Sequence, residues 1–98
     1  MPLPTPQNCR MSPDNSGVLF EVEIDGRMRK GEITIQAIEK MYGTQTDLVR
    51  TVSQSSDVTR GMQKRISVGV DDEHGPILLN SMMLDEKGRW TIYSGVAK

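Results

Sequence analysis

An alternating apolar segment limits the fold of this chain more than any other part of its sequence. Phe20, Val22 and Ile24 occupy every second position, and Glu21 and Glu23 stand between them. Successive side chains of a strand point to opposite sides of a sheet, so this period of two predicts a strand with one buried face. We therefore expect a sheet that other parts of the chain cover on one side.

An Asp-Gly dipeptide at 25–26 follows this strand, and it accepts the positive φ angles of a two-residue hairpin turn. Such a turn places Glu21 opposite Lys30, which is an attractive cross-strand pair. It also places Arg27 and Arg29 on the apolar face of the hairpin. One more residue in the turn reverses those faces, so the sequence leaves the register of the hairpin open.

The apolar period changes to three and four after the hairpin, which predicts helices. Thr34 is a candidate N-cap for a first helix through Ile38, and Gly43 is a natural stop because glycine enters the left-handed conformation. A second helical segment opens at 44–47. Its apolar stripe is diluted by hydroxyl side chains, so the sequence leaves open whether it breaks near 56–57.

Three short strands are predicted in the last third of the chain, where apolar runs alternate with polar turns. They cover 66–70, 76–84 and 89–93, and this regular spacing is typical of an antiparallel meander. We expect Trp90 to be substantially buried by that meander. The predicted fold class is α+β in the order ββ-α(α)-βββ, with a small antiparallel sheet packed against one or two helices.

Proline separates the first part of the chain from the rest. Residues 1–16 contain four of the five prolines, which remove backbone donors and disfavour regular structure. We expect 1–16 to form an irregular arm that can be removed without unfolding the protein. Residues 17–98 are then a single α+β domain, a length that is usual for one hydrophobic core.

The first hairpin and first helix resemble a family of short bacterial proteins known as domain of unknown function 1488. Phe-Glu-Val-Glu-Ile-Asp-Gly at 20–26, a return strand ending at 32–34 and a helix closing at 41–43 are similar to that family's strand, turn and helix. The resemblance covers most of 17–84, although serines stand at 55–56 where bulkier polar residues are expected. It implies an architecture and no mechanism, because the family has no established activity.

Composition argues against several classes of function. The net charge is −1 and the pI is about 5.8, which disfavours non-specific nucleic-acid binding. Cys9 is the only cysteine, so there is no disulfide framework and no thiol cluster for zinc. No apolar stretch is long enough to cross a membrane, so we expect no membrane partner. We expect a cytoplasmic protein, made in bacteria or by a phage or other mobile element.

The sequence predicts no catalytic, cofactor or metal site. His74 is the only histidine, and it lies in the acidic turn 71–75. Consecutive side chains of a turn splay outward, so we expect a solvated turn that binds no metal. The glycines are too scattered for a phosphate-binding loop. We therefore expect a protein that is not an enzyme; the remaining alternative of that class is a site completed only across an oligomer.

The candidate partner-binding residues form two basic clusters, one on the return strand and one on the second helix. Their members are Arg27, Met28, Arg29, Lys30, Arg60, Lys64 and Arg65.

These clusters favour a small non-enzymatic interaction protein that contacts another protein or a second copy of itself as a homodimer. An accessory or inhibitor factor of a phage or mobile element is one form of this hypothesis. If the return strand ends the sheet, its free backbone groups suit the addition of a partner's strand. The alternative is a nucleic-acid-binding regulator that uses both clusters, at 27–30 and 60–65, which the net charge disfavours.

Overall fold

Residues 3–91 are described by the computed structural model of this protein. Three strands come first, three helices follow, and a short strand and a 3₁₀ turn come last. The strands are β1 (Gln7–Met11), β2 (Gly17–Ile24), β3 (Arg27–Thr34) and β4 (Ile77–Leu79); the helices are α1 (Ile35–Tyr42), α2 (Leu48–Ser53) and α3 (Ser56–Ser67); the 3₁₀ turn is Ser81–Met83. The predicted α+β class is confirmed.

The four strands form one mixed sheet in the order β1-β2-β3-β4. The first two pairs are antiparallel, but β3 and β4 run parallel. A parallel pair needs a long crossover connection, and the segment with the three helices supplies it between β3 and β4. The prediction of a wholly antiparallel sheet is therefore wrong at β4.

The hairpin between β2 and β3 has the two-residue turn that the sequence allowed. Asp25 and Gly26 have φ angles of 55° and 79°, and Glu21 lies opposite Lys30. The same register pairs Val22 with Arg29. Directly opposed residues of a sheet point to the same side, so Arg29 lies on the apolar face, next to the core.

The helices pack on that apolar face and enclose the core. Its buried side chains are Val18, Phe20, Val22, Ile24, Ile33, Ala37, Ile38, Val52, Val58, Met62, Ile77, Leu79 and Leu84.

The alternation predicted for Phe20, Val22 and Ile24 is confirmed, because all three are buried. Gly31 leaves space in the core for two neighbouring side chains. A Cβ atom there would lie 2.5 Å from Cζ of Phe20 and 2.8 Å from Sδ of Met62. The missing side chain therefore lets Phe20 and Met62 pack against the backbone of β3.

Local signals set the helix ends as the sequence indicated. The Thr34 hydroxyl accepts a hydrogen bond from the Ala37 N–H at 3.1 Å, and Gly43 ends α1 with a φ angle of 78°. The second helical segment does break: α2 ends at Ser53 and α3 begins at Ser56. The serines that weaken the helical pattern thus separate two helices.

The expectation of an irregular arm over 1–16 is wrong at Gln7–Met11, which is β1. This strand pairs with β2 and carries a bulge between Gln7 and Arg10, where Asn8 has a φ angle of 55°. Pro4, ahead of the strand, accepts a 2.6 Å hydrogen bond from the hydroxyl of Thr59, which is fully buried. These contacts argue against the expectation that the arm can be removed without loss.

The predicted meander of the last third is also wrong. Helix α3 continues through Ser67, so 66–70 is not a strand, and within 76–84 only the three residues of β4 form one. In 89–91, Trp90 forms an isolated antiparallel bridge with Leu84 and no strand; the rest of the predicted strand 89–93 lies outside the described residues. A short apolar run fits a helix and a strand equally well, and the run that begins at Ile66 is the end of α3.

Candidate functional site

A groove of about 290 Å³ lies between α3 and the turn that follows the 3₁₀ turn. Its lining residues are Asp57, Arg60, Lys64, Gly88, Arg89 and Trp90.

We call this feature the Trp90 groove. Two of the seven candidate residues, Arg60 and Lys64, line it. The turn adds Arg89 and the indole of Trp90, which the sequence did not place in a site. The groove therefore combines three cations and one aromatic ring.

Helix α3 supplies one wall of the Trp90 groove. Asp57, Arg60 and Lys64 follow each other at spacings of three and four, so they share one face of the helix. Arg60 Nη1 donates to Asp57 Oδ1 at 3.0 Å, with both side chains about half exposed, and such pairs are weak. In the part of the chain that the structure describes, Lys64 forms no ion pair.

The opposite wall is a turn organised by Asp85. Its Oδ1 accepts hydrogen bonds from the N–H groups of Lys87 and Arg89, each at 2.9 Å, and its Oδ2 accepts from Arg89 Nε at 3.3 Å. The Arg89 N–H makes the largest contribution to a pKa for Asp85 below its ordinary value. Asp85 therefore stays ionised at neutral pH and keeps Arg89 beside the groove.

Helix α1 fixes this turn from behind. Lys40 Nζ donates to the carbonyl oxygens of Leu84 and Ser81 at 3.0 and 3.3 Å. Gly88 has a φ angle of 75°, and a Cβ atom on it would lie 2.8 Å from the carbonyl oxygen of Lys40. Only glycine fits this position without a shift of the backbone, so the turn packs closely on the end of α1.

Two contacts hold the indole of Trp90. Its Nε1 donates to the carbonyl oxygen of Asp57 at 2.8 Å. Its ring lies over Gly61, where a Cβ atom would approach Cε2 of the indole to 2.6 Å. The expectation that a meander buries Trp90 is wrong about the covering element, because α3 covers the ring. The indole is half-buried and lines the groove with its remaining surface.

Asp57 links the groove to the end of α1. The Tyr42 hydroxyl is hydrogen-bonded to the Ser55 hydroxyl and donates to Asp57 Oδ2 at 3.4 Å. Desolvation is the main reason that the pKa of Tyr42 is raised, and the nearby Asp57 charge acts in the same direction. Tyr42 therefore stays protonated at neutral pH. Through these bonds Asp57 connects α1, α3 and Trp90.

The first basic cluster lies outside the Trp90 groove. Strand β3 lies between β2 and β4 and does not end the sheet, but β4 pairs with it only at Gly31–Ile33 and has no pairing with 27–30. Arg29 Nε lies 3.3 Å from Asp72 Oδ1, and the two side chains are only 12% and 10% exposed. Arg27, Met28 and Lys30 remain exposed. Arg29 therefore has a structural partner, and its neighbours form a separate surface.

Asp72 anchors the acidic turn 71–75 to the sheet. Its Oδ2 accepts the Lys30 N–H at 2.9 Å, at the point where the pairing of β3 with β4 has ended. This bond is the largest cause of a pKa for Asp72 below its ordinary value, and the charges of Arg29 and Arg27 add to it. The turn thus covers backbone that β4 leaves unpaired.

Arg65, the last member of the second cluster, does not line the Trp90 groove. Its carbonyl oxygen accepts the N–H groups of Val68 and Val70 at the end of α3, and the residue is half-buried. Its Nε is buried, and within residues 3–91 it has no hydrogen-bond partner. The structure therefore joins Arg60 and Lys64 with Arg89, and places Arg65 apart from them.

Across 3–91, no histidine, cysteine, aspartate and glutamate side chains form a group of three or more that could hold a metal ion. None of the helices in that range is long and apolar enough to cross a membrane.

No protein-family model, curated protein or solved structure shows significant similarity to this chain. The resemblance to domain of unknown function 1488 therefore stays a prediction. The geometry of the Trp90 groove is the remaining basis for an argument about function.

Proposed function

We propose that this chain is a non-enzymatic binding protein that docks an acidic segment of a partner protein in the Trp90 groove. The observation that carries the proposal is the convergence of Arg60, Lys64 and Arg89 on one half-buried indole. Arginine and tryptophan are enriched among the residues that dominate binding energy at protein interfaces.

The charge of the groove supports an acidic ligand. Three cations and one carboxylate, Asp57, line it, and Asp85 beside Arg89 reduces the local excess to one positive charge. The whole chain has a net charge of −1, so this excess is a local feature of an otherwise acidic protein. A short acidic segment gains the local attraction and avoids the rest of the surface.

The composition of the lining supports binding over catalysis. Among the residues described, it contains no histidine, cysteine or hydroxyl side chain, and Asp57 is already bonded to Arg60 and Tyr42. Nucleophilic and general-base mechanisms need a reactive group with a partner that activates it. Accessory and inhibitor factors, which act by contact alone, fit this lining.

Single-stranded nucleic acid is a second candidate ligand, and Trp90 is the observation that favours it. Bases stack on aromatic side chains while neighbouring cations contact the phosphates. The net charge of the chain opposes a long polyanion. A second copy of this chain remains a further prediction for the partner, with the exposed Met28 and Leu78 of the open sheet face as its surface.

Trp90 is the only tryptophan of the chain, so its fluorescence reports on the groove directly. We expect saturable quenching by a glutamate-rich peptide without tryptophan, and weaker binding of an oligothymidine of equal charge at the same salt concentration. Lys64→Met and Arg89→Gln should each reduce peptide affinity.

Lys87→Met is the matched control, because Lys87 lies in the same turn outside the groove lining. Equal losses in Lys87→Met and Lys64→Met would show that only general charge matters. Tighter binding of the oligothymidine would favour the nucleic-acid candidate instead.

A further inference from the structure

We propose that the group bound at the centre of the Trp90 groove is a phosphomonoester, carried by a phosphorylated serine or threonine of the partner protein. The inference rests on the proposed function, because it specifies the chemistry of the acidic segment. Three features of the groove carry it: its net charge, its free donors and its size.

The cations of the groove favour a ligand that carries more charge than a carboxylate. Three cations and Asp57 line the groove, and Asp85, which is paired with Arg89, lies just behind it. A ligand must compete with Asp85 for Arg89, so it gains most when its own charge exceeds that of the carboxylate it replaces. A phosphorylated side chain carries about −1.5 to −2 at neutral pH, whereas a glutamate carries −1 and only matches Asp85.

The donors come from both walls of the groove, so they can reach different oxygens of one phosphoryl group. Arg60 uses Nη1 for Asp57, and Arg89 uses Nε for Asp85. Within the described residues, their other guanidinium N–H groups and the Lys64 ammonium group donate no hydrogen bond to the protein. Phosphoryl oxygens accept strong charge-assisted hydrogen bonds from such groups.

The two existing ion pairs leave the arginines available to a ligand. Arg60 and Asp57 are 53% and 51% exposed, and Arg89 is 70% exposed. Exposed ion pairs contribute little free energy, so each guanidinium can turn toward a ligand at low cost.

The size of the groove and the fixed indole favour a peptide as the carrier. A volume of about 290 Å³ has room for a phosphoryl group and part of the segment that carries it. Trp90, held by Gly61 and by the Asp57 carbonyl oxygen, offers that neighbour a rigid apolar contact. A polynucleotide brings further phosphates for which this lining has no additional cations.

The test compares one peptide sequence with phosphoserine, glutamate or serine at its centre, titrated against the full chain by Trp90 fluorescence and calorimetry. We expect the phosphoserine peptide to bind about tenfold or more tightly than the glutamate peptide. Lys64→Met and Arg89→Gln should each remove most of that difference, and Lys87→Met should preserve it. Circular dichroism checks that each variant is folded, and either groove variant alone suffices for the comparison.

Failure of this inference is distinguishable from failure of the proposed function. Equal affinity for the phosphoserine and glutamate peptides would overturn the phosphomonoester and leave the acidic-segment proposal standing. Absence of binding by both would overturn both. Inorganic phosphate or a 5′-phosphorylated dinucleotide that binds as tightly as the phosphopeptide would overturn the protein source of the phosphoryl group.

Discussion

The groove depends on the contact between Gly61 and Trp90, because this contact places the indole in its lining. Glycine inside a helix costs about 1 kcal/mol relative to alanine, so α3 tolerates an intrinsically unfavourable residue at this position. The indole occupies the space where a Cβ atom would stand. The missing Cβ atom therefore lets the ring pack directly on the helix backbone, and the lower helix propensity is the cost of this contact.

We predict that Gly61→Ala destabilises the protein by about 1–3 kcal/mol, because the new methyl group displaces Trp90. The tryptophan emission should shift to the red as the ring becomes more exposed. Urea unfolding measures the first effect and fluorescence the second. In a Trp90→Ala background the same substitution should stabilise the protein by about 1 kcal/mol. Stabilisation in both backgrounds would contradict the contact.

Asp72 leads to a prediction about pH. Its folded-state pKa is depressed, chiefly by the Lys30 N–H, so its carboxylate stabilises the fold above the unfolded-state value of about 3.9. This contribution is lost as the pH falls through the lower folded-state pKa. We expect Asp72→Asn to cost about 1–2 kcal/mol at pH 7 and to weaken the fall of stability below about pH 4.

Glu73→Gln is the control for Asp72→Asn, because Glu73 lies in the same turn and is exposed. Chemical unfolding of both variants between pH 3 and pH 7 measures the difference, in a range set by the ordinary carboxylate pKa values of about 4. Equal curves for Asp72→Asn and the unmodified chain would show that the anchor is energetically silent.

Among the elements, β1 changes the view of the N-terminal arm most. It pairs with β2 and therefore forms one edge of the sheet. The turn that follows is held by Ser12, whose hydroxyl accepts the N–H groups of Ser16 and Gly17 at 3.1 and 3.2 Å. Residues that the proline content assigned to an irregular arm thus take part in the fold.

We predict that Thr59→Val lowers stability by about 1 kcal/mol, because it removes the bond to the Pro4 carbonyl oxygen and keeps the shape of the side chain. Thr59→Ser retains the hydroxyl and serves as the control. In a variant that lacks residues 1–11, the bond to Pro4 is already absent, so Thr59→Val should not lower the stability further. Thermal unfolding of the five chains, including the unmodified one, makes the comparison, and an equal effect of Thr59→Val with and without the arm would contradict it.

The elements that sequence predicted are those specified by neighbouring residues. The β2–β3 hairpin and α1 follow from an alternating run, an Asp-Gly turn and a Thr34 cap, all of which act within a few residues. Strand β1 has no alternation and becomes a strand because β2 pairs with it, which a local pattern cannot indicate. Strand β4 lies within the predicted strand 76–84, but its length of three residues and its parallel pairing with β3 depend on that distant strand.

The same distinction explains what was missed at the candidate site. Arg60 and Lys64 are visible in the sequence as members of a local basic cluster, without reference to any other element. Arg89 and Trp90 reach the groove only because Lys40 and Asp85 hold their turn against α1. The available signal was a lone tryptophan beside an arginine after a turn, and the predicted meander assigned that tryptophan to the core.

At the scale of the whole molecule, charge is distributed unevenly. Most candidate cations of the first cluster lie beside Asp72 and the acidic turn 71–75, whereas the Trp90 groove keeps a positive excess. The small net charge of the chain is therefore compatible with a positive patch at the Trp90 groove. A sequence-wide charge balance disfavours broad polyanion binding and does not exclude recognition of one acidic group.

The parallel pairing of β3 with β4 has a consequence for the order of folding. The β2–β3 hairpin joins adjacent segments, whereas nearly half of the chain separates Gly31 from its partner Ile77. Closing so large a loop costs entropy before any contact repays it. We therefore expect the hairpin and α1 to form early and β4 to dock late.

Stopped-flow kinetics tests this order with two core substitutions. Leu79→Ala in β4 should cost about 2–5 kcal/mol and act mainly by accelerating unfolding, with a φ-value near zero. Val22→Ala in β2 should slow folding instead. If Leu79→Ala instead lowers the folding rate, β4 belongs to the folding nucleus and the proposed order is wrong. If β4 docks last, it is also the first strand to leave, and the pairing edge of β3 is then exposed to other chains before the hairpin unfolds.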